Sequence, residues 1–131
     1  RKCLCLINGR ITDNVAVISS VKSLELSALR IISFCYIYKR GRVISKQLLR
    51  SGTSIGANVR ESYNAQSKAD FINKLHIALK EADETAYWLE LLYESDIINK
   101  QYFDSLYGEL KEIIALLTAS IKTLKNNETK K

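Results

Sequence analysis

Five positively charged residues lie within twelve consecutive positions of this 131-residue chain, and no acidic residue lies between them. They are Lys39, Arg40, Arg42, Lys46 and Arg50. Lysine and arginine side chains grouped in this way neutralise phosphates and release counterions without reading a base sequence. We therefore predict a nucleic-acid-binding surface at these five residues. A solvated basic turn is the alternative interpretation.

The glycines that follow this basic stretch do not form a phosphate-binding loop. Gly52 and Gly56 have three residues between them and no lysine follows, whereas a Walker-type loop reads G-x-x-x-x-G-K-[ST] between a strand and a helix. We interpret this segment as part of a helix whose small side chains let a neighbouring backbone come close, within the subunit or between subunits. The predicted packing residues are Ser51, Gly52, Ser54, Ile55, Gly56 and Asn58.

Residue types for enzymatic or metal chemistry are sparse. His76 is the only histidine, and Asn73 stands where the Glu-x-x-His motif of carboxylate-bridged metal bundles has a glutamate. Cys3, Cys5 and Cys35 do not match the spacing of a four-ligand zinc site. We predict that the protein is not an enzyme and that it uses no metal and no cofactor.

Acidic residues in the second half of the chain suggest ion pairs with the basic residues of the first half. Glu81 and Glu84 are three residues apart and share a flank of a helix, so they need positive partners if they face another helix. Arg50 and Arg60 are the natural partners, and Glu61 is a further candidate for a buried ion pair. A solvated acidic face is the alternative, and either arrangement is structural.

Long helices are the secondary structure predicted for the segments that hold these residues. Apolar residues recur at intervals of three and four, which is typical of amphipathic helices, and predict helices at about 15–38, 45–65, 67–93 and 99–124. The predicted N-terminal caps are Ser45 for the second helix, Ser67 with Asp70 for the third, and Asn99 for the fourth. Glycine costs roughly 0.8–1.0 kcal/mol relative to alanine in a helix. The second helix therefore needs tertiary contacts to remain continuous over residues 51–58.

Short loops between long helices force neighbours to run antiparallel, so the predicted fold is all-α, an antiparallel up-down-up-down four-helix bundle. Residues 15–125 form this bundle, residues 1–14 a loosely ordered N-terminal extension and residues 126–131 a frayed tail. The first and fourth helices are apolar over more than one face, which predicts an oligomer. A broader core within one subunit is the alternative.

Charge is distributed unevenly along the chain. Residues 1–60 hold eleven Lys or Arg against two acidic residues, and residues 61–131 hold nine against twelve. The first half is therefore the half that attracts anions. The apolar run near the start is shorter than the roughly 7–15 residues of a signal-peptide core, and no run approaches the ~20 apolar residues of a membrane span. Together with the odd number of cysteines, this predicts a cytoplasmic protein.

Four stretches of the sequence carry a family resemblance. Residues 45–61 read SKQLLRSGTSIGANVRE, and they are followed by DF at 70–71, IALKEA at 77–82 and ETAYWL at 84–89. These stretches closely resemble the bacterial four helix bundle proteins, also called 23S rRNA intervening-sequence proteins, which are similar to the accessory variability determinant of diversity-generating retroelements. The resemblance covers about residues 22–124.

The resemblance implies a small non-enzymatic bundle that assembles as a homopentamer. For the retroelement accessory members it implies nucleic-acid binding by a basic pentamer surface and contact with a reverse transcriptase. Our leading hypothesis is therefore a bacterial cytoplasmic homopentamer that binds RNA or DNA with little sequence specificity. The rival hypothesis is an oligomeric scaffold that recognises a protein partner through the acidic face of the third helix or the apolar strips of the first and fourth.

Overall fold

A computed structural model describes residues 29–30 and 42–129 of the chain. Three helices make up most of this part, and they correspond to the second, third and fourth predicted helices. They are α1 at Arg42–Ser62, α2 at Lys68–Glu94 and α3 at Lys100–Thr129. The prediction of an all-helical protein is thus confirmed over the described residues.

Several predictions concern residues outside the described part of the chain. Of the first predicted helix, only Leu29 and Arg30 are described, and both are helical. The predictions that lie outside are the N-terminal extension at 1–14, the remainder of the helix at 15–38, Cys3, Cys5, Cys35, Lys39 and Arg40.

Helix α1 continues through both of its glycines, which confirms the continuous helix predicted for residues 51–58. Its buried face includes Leu48, Ile55 and Val59, all at most 2% exposed, and this burial holds the helix against its neighbour. The intervening hydroxyl groups donate hydrogen bonds to carbonyls three or four residues earlier in the same helix. They belong to Ser51, Thr53 and Ser54.

Both ends of α1 differ from the prediction. Ser45 lies inside the helix and is buried, because it falls on the same face as Leu48; the predicted cap at Ser45 is therefore wrong. The helix ends at Ser62, before the predicted end near Ala65. The N–H of Ala65 donates to the carbonyl of Ser62 at 3.1 Å, so the chain leaves the helix in a tight turn.

The N-terminus of α2 has the predicted cap. The backbone N–H of Asp70 donates to the Ser67 hydroxyl at 3.1 Å, and the Asp70 carboxylate accepts from the N–H of Gln66 at 3.2 Å. Two of the N–H groups at this helix start are thus hydrogen bonded by side chains.

The C-terminus of α2 is closed by a Schellman motif. The N–H of Ile97 donates to the carbonyl of Leu92, and the N–H of Asp96 to that of Tyr93, both at 3.0 Å. Asp96 has φ 55°, the only positive φ of a non-glycine residue in the described part of the chain. The left-handed backbone conformation of Asp96 reverses the direction of the chain after α2 and leads it into α3.

Helix α3 starts at the predicted cap and runs further than predicted. The Asn99 side-chain oxygen accepts from the N–H of Tyr102 at 2.8 Å, which confirms this cap. The helix continues through Thr129, whereas the apolar series predicted an end near Leu124.

Helix α2 packs against both α1 and α3. Ser51 contacts Thr85, whereas Glu61, further along α1, contacts Lys74, which lies earlier in α2. Because residue numbers rise along one helix as they fall along the other, α1 and α2 are antiparallel. The contact of Tyr93 with Phe103 and the hydrogen bond between residues 90 and 107 show the same for α2 and α3.

The core lies along the inner faces of the three helices. It contains Leu48, Ile55, Val59, Phe71, Ile72, Leu75, Ala78, Ala82, Leu89, Leu92, Ile98, Leu106, Leu110, Ile113, Leu117 and Ile121. None of the helices in the described part of the chain combines the length and the apolar character that crossing a membrane requires.

Candidate nucleic-acid interface

The predicted basic surface is represented in the described residues by Arg42, Lys46 and Arg50, all on α1. Arg42 and Lys46 are exposed and four residues apart, so they lie on the same side of the helix, one turn from each other. Helix α1 contains no acidic residue before Glu61. Its first turns therefore present two positive charges to solvent.

Arg50 is engaged differently. Its guanidinium donates to the Glu81 carboxylate at 3.4 Å and also to the Glu84 carboxylate. The hydrogen bond to Glu84 is the largest of the effects that raise the pKa of Arg50. The same bond, reinforced by one that the Trp88 indole N–H donates to Glu84 at 3.1 Å, lowers the pKa of Glu84. The charge of Arg50 is therefore directed at α2.

A buried pair of hydroxyl groups lies beside Arg50, between α1 and α2. Ser51 and Thr85 are at most 1% exposed, and their side-chain oxygens are 2.9 Å apart. Thr85 is also 2.7 Å from the carbonyl oxygen of Glu81, and Ser51 is 3.2 Å from that of Leu48. Each hydroxyl thus has two possible partners, so this contact leaves neither hydroxyl without a hydrogen bond.

The predicted ion pairs are not buried. The side chains of Arg50, Glu81 and Glu84 are 49%, 20% and 35% exposed, so solvent screens the attraction between them. Arg60 is exposed and has no carboxylate partner in the part of the chain that the structure describes. Glu61 pairs at 2.8 Å with Lys74, a partner that was not predicted.

The predicted packing residues divide between two sides of α1. Ser51, Gly52 and Ile55 are buried, whereas Ser54, Gly56 and Asn58 are partly exposed. The Asn58 amide donates to the carbonyl of Ser54 in its own helix at 2.8 Å. A Cβ atom placed on Gly56 would meet nothing within 4 Å. No described helix approaches Gly56, so the close approach predicted there, within the subunit or between subunits, stays a prediction.

The sequence pattern also did not predict the side-chain contacts that α3 makes with Arg30 and with the ring of Tyr93. The Arg30 guanidinium pairs with Glu109 and donates to the Ser105 hydroxyl at 2.8 Å. On the other side of α3, the Phe103 ring stacks on Tyr93 and Tyr107, with centroid distances of 4.6 and 4.8 Å. Their spacing along the helices marked these rings as apolar positions, but it did not show which rings would meet.

A groove of about 290 Å³ between α2 and α3 is a further site that the sequence did not indicate. Its lining residues are His76, Leu79, Thr118, Ile121, Lys122, Lys125 and Asn126. Lys122 and Lys125, three residues apart on α3, were the available signal for it. Within the described residues, no three His, Cys, Asp or Glu side chains are grouped as a metal site would require.

The described part of the chain is thus a small antiparallel helical protein, and its exposed basic residues Arg42 and Lys46 lie at the start of α1. The sequence model of the 23S rRNA-intervening sequence protein family matches residues 17–119, and the chain belongs to this family. The crystal structure of a protein with unknown function from the S23 ribosomal protein family of Bacteroides thetaiotaomicron is similar to this chain. The two share 46% identity and a TM-score of 0.79 over 82% of this chain and 99% of the other.

No curated protein matches this chain. The family predicted from residues 45–61 and the stretches that follow is confirmed, while the likeness to the retroelement accessory proteins stays a prediction.

Proposed function

We propose that this protein is a non-enzymatic cytoplasmic homopentamer that binds RNA or DNA with little sequence specificity. The observation that carries the proposal is the start of α1, where Arg42 and Lys46 are exposed one turn apart with no acidic residue nearby in the helix. Lys39 and Arg40 precede them in the sequence. Basic side chains of this kind contact phosphates, and such contacts position a nucleic acid without reading its bases.

Arg50 has a structural role in this proposal. Its guanidinium is already hydrogen bonded to Glu81 and Glu84, so a phosphate would have to displace two carboxylates. We therefore assign phosphate binding to Arg42 and Lys46, together with Lys39 and Arg40, and assign Arg50 to the attachment of α1 to α2.

The test is fluorescence anisotropy with a labelled structured RNA at about 50 and about 200 mM salt, a range over which phosphate binding weakens strongly. We expect binding that weakens steeply with salt. In the Arg42→Gln/Lys46→Gln variant the slope of log affinity against log salt should fall by about one for each phosphate that the protein no longer neutralises. Absence of binding at the lower salt concentration, or unchanged affinity of the variant, would contradict the proposal.

Two control variants separate a local site from net charge. Lys80→Gln/Lys111→Gln removes the same charge from exposed positions of α2 and α3, and Arg50→Gln removes a paired charge from α1. Both should keep most of the RNA affinity. Arg50→Gln should instead lower the stability of the folded protein.

The homopentamer is supported by the side of α1 that no other described element covers. Thr53 and Gly56 are partly exposed and Ala57 is exposed, and the space beside Gly56 is open. Small side chains there would let a second subunit approach the helix backbone. Sedimentation velocity should show a pentamer, and a monomer at micromolar concentration would remove this part of the proposal.

A second candidate function, an accessory role toward a protein such as a reverse transcriptase, is supported by the opposite charge on α2. Asp83, Tyr87, Glu90 and Glu94 are exposed and spaced four, three and four residues apart, so they form an acidic strip with a ring that is 52% exposed. This strip suits a partner with a basic surface. A pull-down that recovers such a protein free of nucleic acid, and no longer recovers it with Tyr87→Ala, would favour this function.

A further inference from the structure

The groove between α2 and α3 combines positive charge with an apolar floor. Lys122 and Lys125 are exposed on one side of α3, three residues apart, and the described residues that line the groove include no acidic side chain. Leu79 is partly buried and Ile121 is 6% exposed, and both line the groove together with the two lysines, so they supply its apolar surface. His76 contributes a flat ring from α2. Such a site suits a ligand that carries both an anion and an apolar, planar part.

We propose that this groove binds a nucleotide, either free or at the phosphorylated end of a nucleic-acid strand. Lys122 and Lys125 would hold the phosphate, because ammonium groups form charge-assisted hydrogen bonds with phosphate oxygens. The base would lie on Leu79 and Ile121 beside the ring of His76. The volume of about 290 Å³ is near the lower end of the range for small-molecule sites, which restricts the ligand to about one nucleotide.

This site is separate from the basic start of α1, and the proposal does not rest on the function proposed above. Arg50 contacts α2 at Glu84, and Lys46 lies one turn further from His76 because the two helices are antiparallel. Thr85, the partner of Ser51, is already nine residues along α2 from His76, or roughly 13 Å at 1.5 Å per residue. The groove and the start of α1 can therefore be altered independently.

Charge also indicates which occupant to expect. Among the described residues that line the groove, the charged ones are Lys122 and Lys125, so an anionic ligand is the complementary occupant.

The experiment uses the full chain and the NMR signal of its only histidine. The Cε1–H resonance of His76 can be followed in titrations with adenosine monophosphate, inorganic phosphate, adenosine and a short 5′-phosphorylated oligonucleotide. We expect adenosine monophosphate to shift this signal saturably, with phosphate and adenosine each at least tenfold weaker. A response to the oligonucleotide that is tighter than that to the mononucleotide identifies a strand end as the source, and the reverse identifies a free nucleotide.

Two double variants complete the test. Lys122→Gln/Lys125→Gln should weaken binding of adenosine monophosphate at least tenfold, whereas Arg42→Gln/Lys46→Gln, with the same change in charge, should leave it unchanged. All four positions are exposed, and circular dichroism confirms that each variant is folded. The fluorescence of Trp88, which lies twelve residues further along α2, should not respond to the ligand.

Three results would overturn the proposal. In the first, millimolar adenosine monophosphate does not shift the His76 signal. In the second, the shift persists in Lys122→Gln/Lys125→Gln. In the third, inorganic phosphate binds as tightly as the nucleotide. Loss of RNA binding in Arg42→Gln/Lys46→Gln has no bearing on this site, so each proposal can fail without the other.

Discussion

The contact between α1 and α2 and the contact between α2 and α3 are built from different kinds of side chain. At the first, two small hydroxyl residues meet, Ser51 and Thr85, beside the solvent-exposed pair of Arg50 and Glu84. At the second, rings stack at centroid distances of 4.6 and 4.8 Å above a row of buried leucine and isoleucine side chains. Both contacts bury apolar side chains, but α2 adds small hydroxyl residues at its contact with α1 and stacked rings at its contact with α3.

The two contacts are therefore expected to stabilise their helix pairs in different ways. Large apolar side chains contribute in proportion to the area that they remove from water. Small side chains contribute less area but let two helix backbones come closer, so they tolerate little increase in volume. The α2–α3 contact should therefore be sensitive to truncation, and the α1–α2 contact to enlargement.

The largest effect is expected from truncation in the core of α3. Leu110 is 5% exposed, and Leu110→Ala should lower the free energy of unfolding by about 3 kcal/mol, because the cost of a cavity adds to the transfer free energy of the removed atoms. Urea denaturation at several protein concentrations measures the change and separates it from any effect on assembly. A decrease below about 1 kcal/mol would mean that the α2–α3 contact repacks freely.

Enlargement at the α1–α2 contact should cost somewhat less. Ser51 is fully buried against Thr85, and Ser51→Leu should destabilise the protein by about 2 kcal/mol through overpacking. The matched control is Ser51→Ala, which should cost less than about 1 kcal/mol, because Thr85 keeps its hydrogen bond to the carbonyl of Glu81. If the leucine variant were as stable as the alanine variant, the two helices would not be closely packed there.

The outer side of α1 should respond in the opposite direction. Within one subunit a Cβ atom fits beside Gly56 and alanine is the better helix former, so Gly56→Ala should stabilise an isolated subunit by about 0.8–1.0 kcal/mol. In the proposed pentamer, where a second subunit approaches this backbone, the same change should instead weaken assembly. Gly108→Ala on α3 is the matched control, because a Cβ atom there would also meet nothing within 4 Å. Stabilisation at Gly108 together with destabilisation at Gly56 would indicate that another subunit occupies the space beside Gly56.

The smallest effect concerns the exposed ion pair. The hydrogen bond from Arg50 lowers the pKa of Glu84, so its stabilising contribution is present above the unfolded-state pKa and is lost as the pH falls through the folded-state pKa. Glu84→Gln should therefore be slightly less stable than the natural protein at neutral pH, and the difference should shrink below about pH 4.3. Thermal unfolding as a function of pH measures this, with Glu94→Gln as an exposed control. A difference independent of pH would exclude the ion pair as its cause.

Features set by neighbouring residues in the sequence were predictable. Ser67 and Asn99 cap their helices because a short polar side chain there can bond an N–H three residues later. The intervals of apolar residues located α1, α2 and α3, and charge complementarity gave Arg50 and Arg60 as candidate partners of Glu81 and Glu84. In the structure both carboxylates accept from the guanidinium of Arg50.

Features set by the relative rotation of helices were not predictable. Ser45 has the side chain of a cap, but the face on which it falls buries it inside α1. Gly56 belongs to the same small-residue segment as Gly52, yet one is partly exposed and the other is buried. The groove beside His76 forms only because α2 and α3 bring residues about forty-five positions apart together. A sequence pattern gives the faces of a helix without showing what each face meets.

The turn after α2 shows that this chain has not reached the highest stability open to its fold. Asp96 holds a left-handed conformation that glycine adopts without steric cost, and its side chain is exposed. An engineered glycine at this position would relieve strain of up to about 1–2 kcal/mol. That margin is available to anyone who needs a more heat-resistant scaffold, because Asp96 follows the C-terminus of α2 whereas the groove residue His76 lies in its first half.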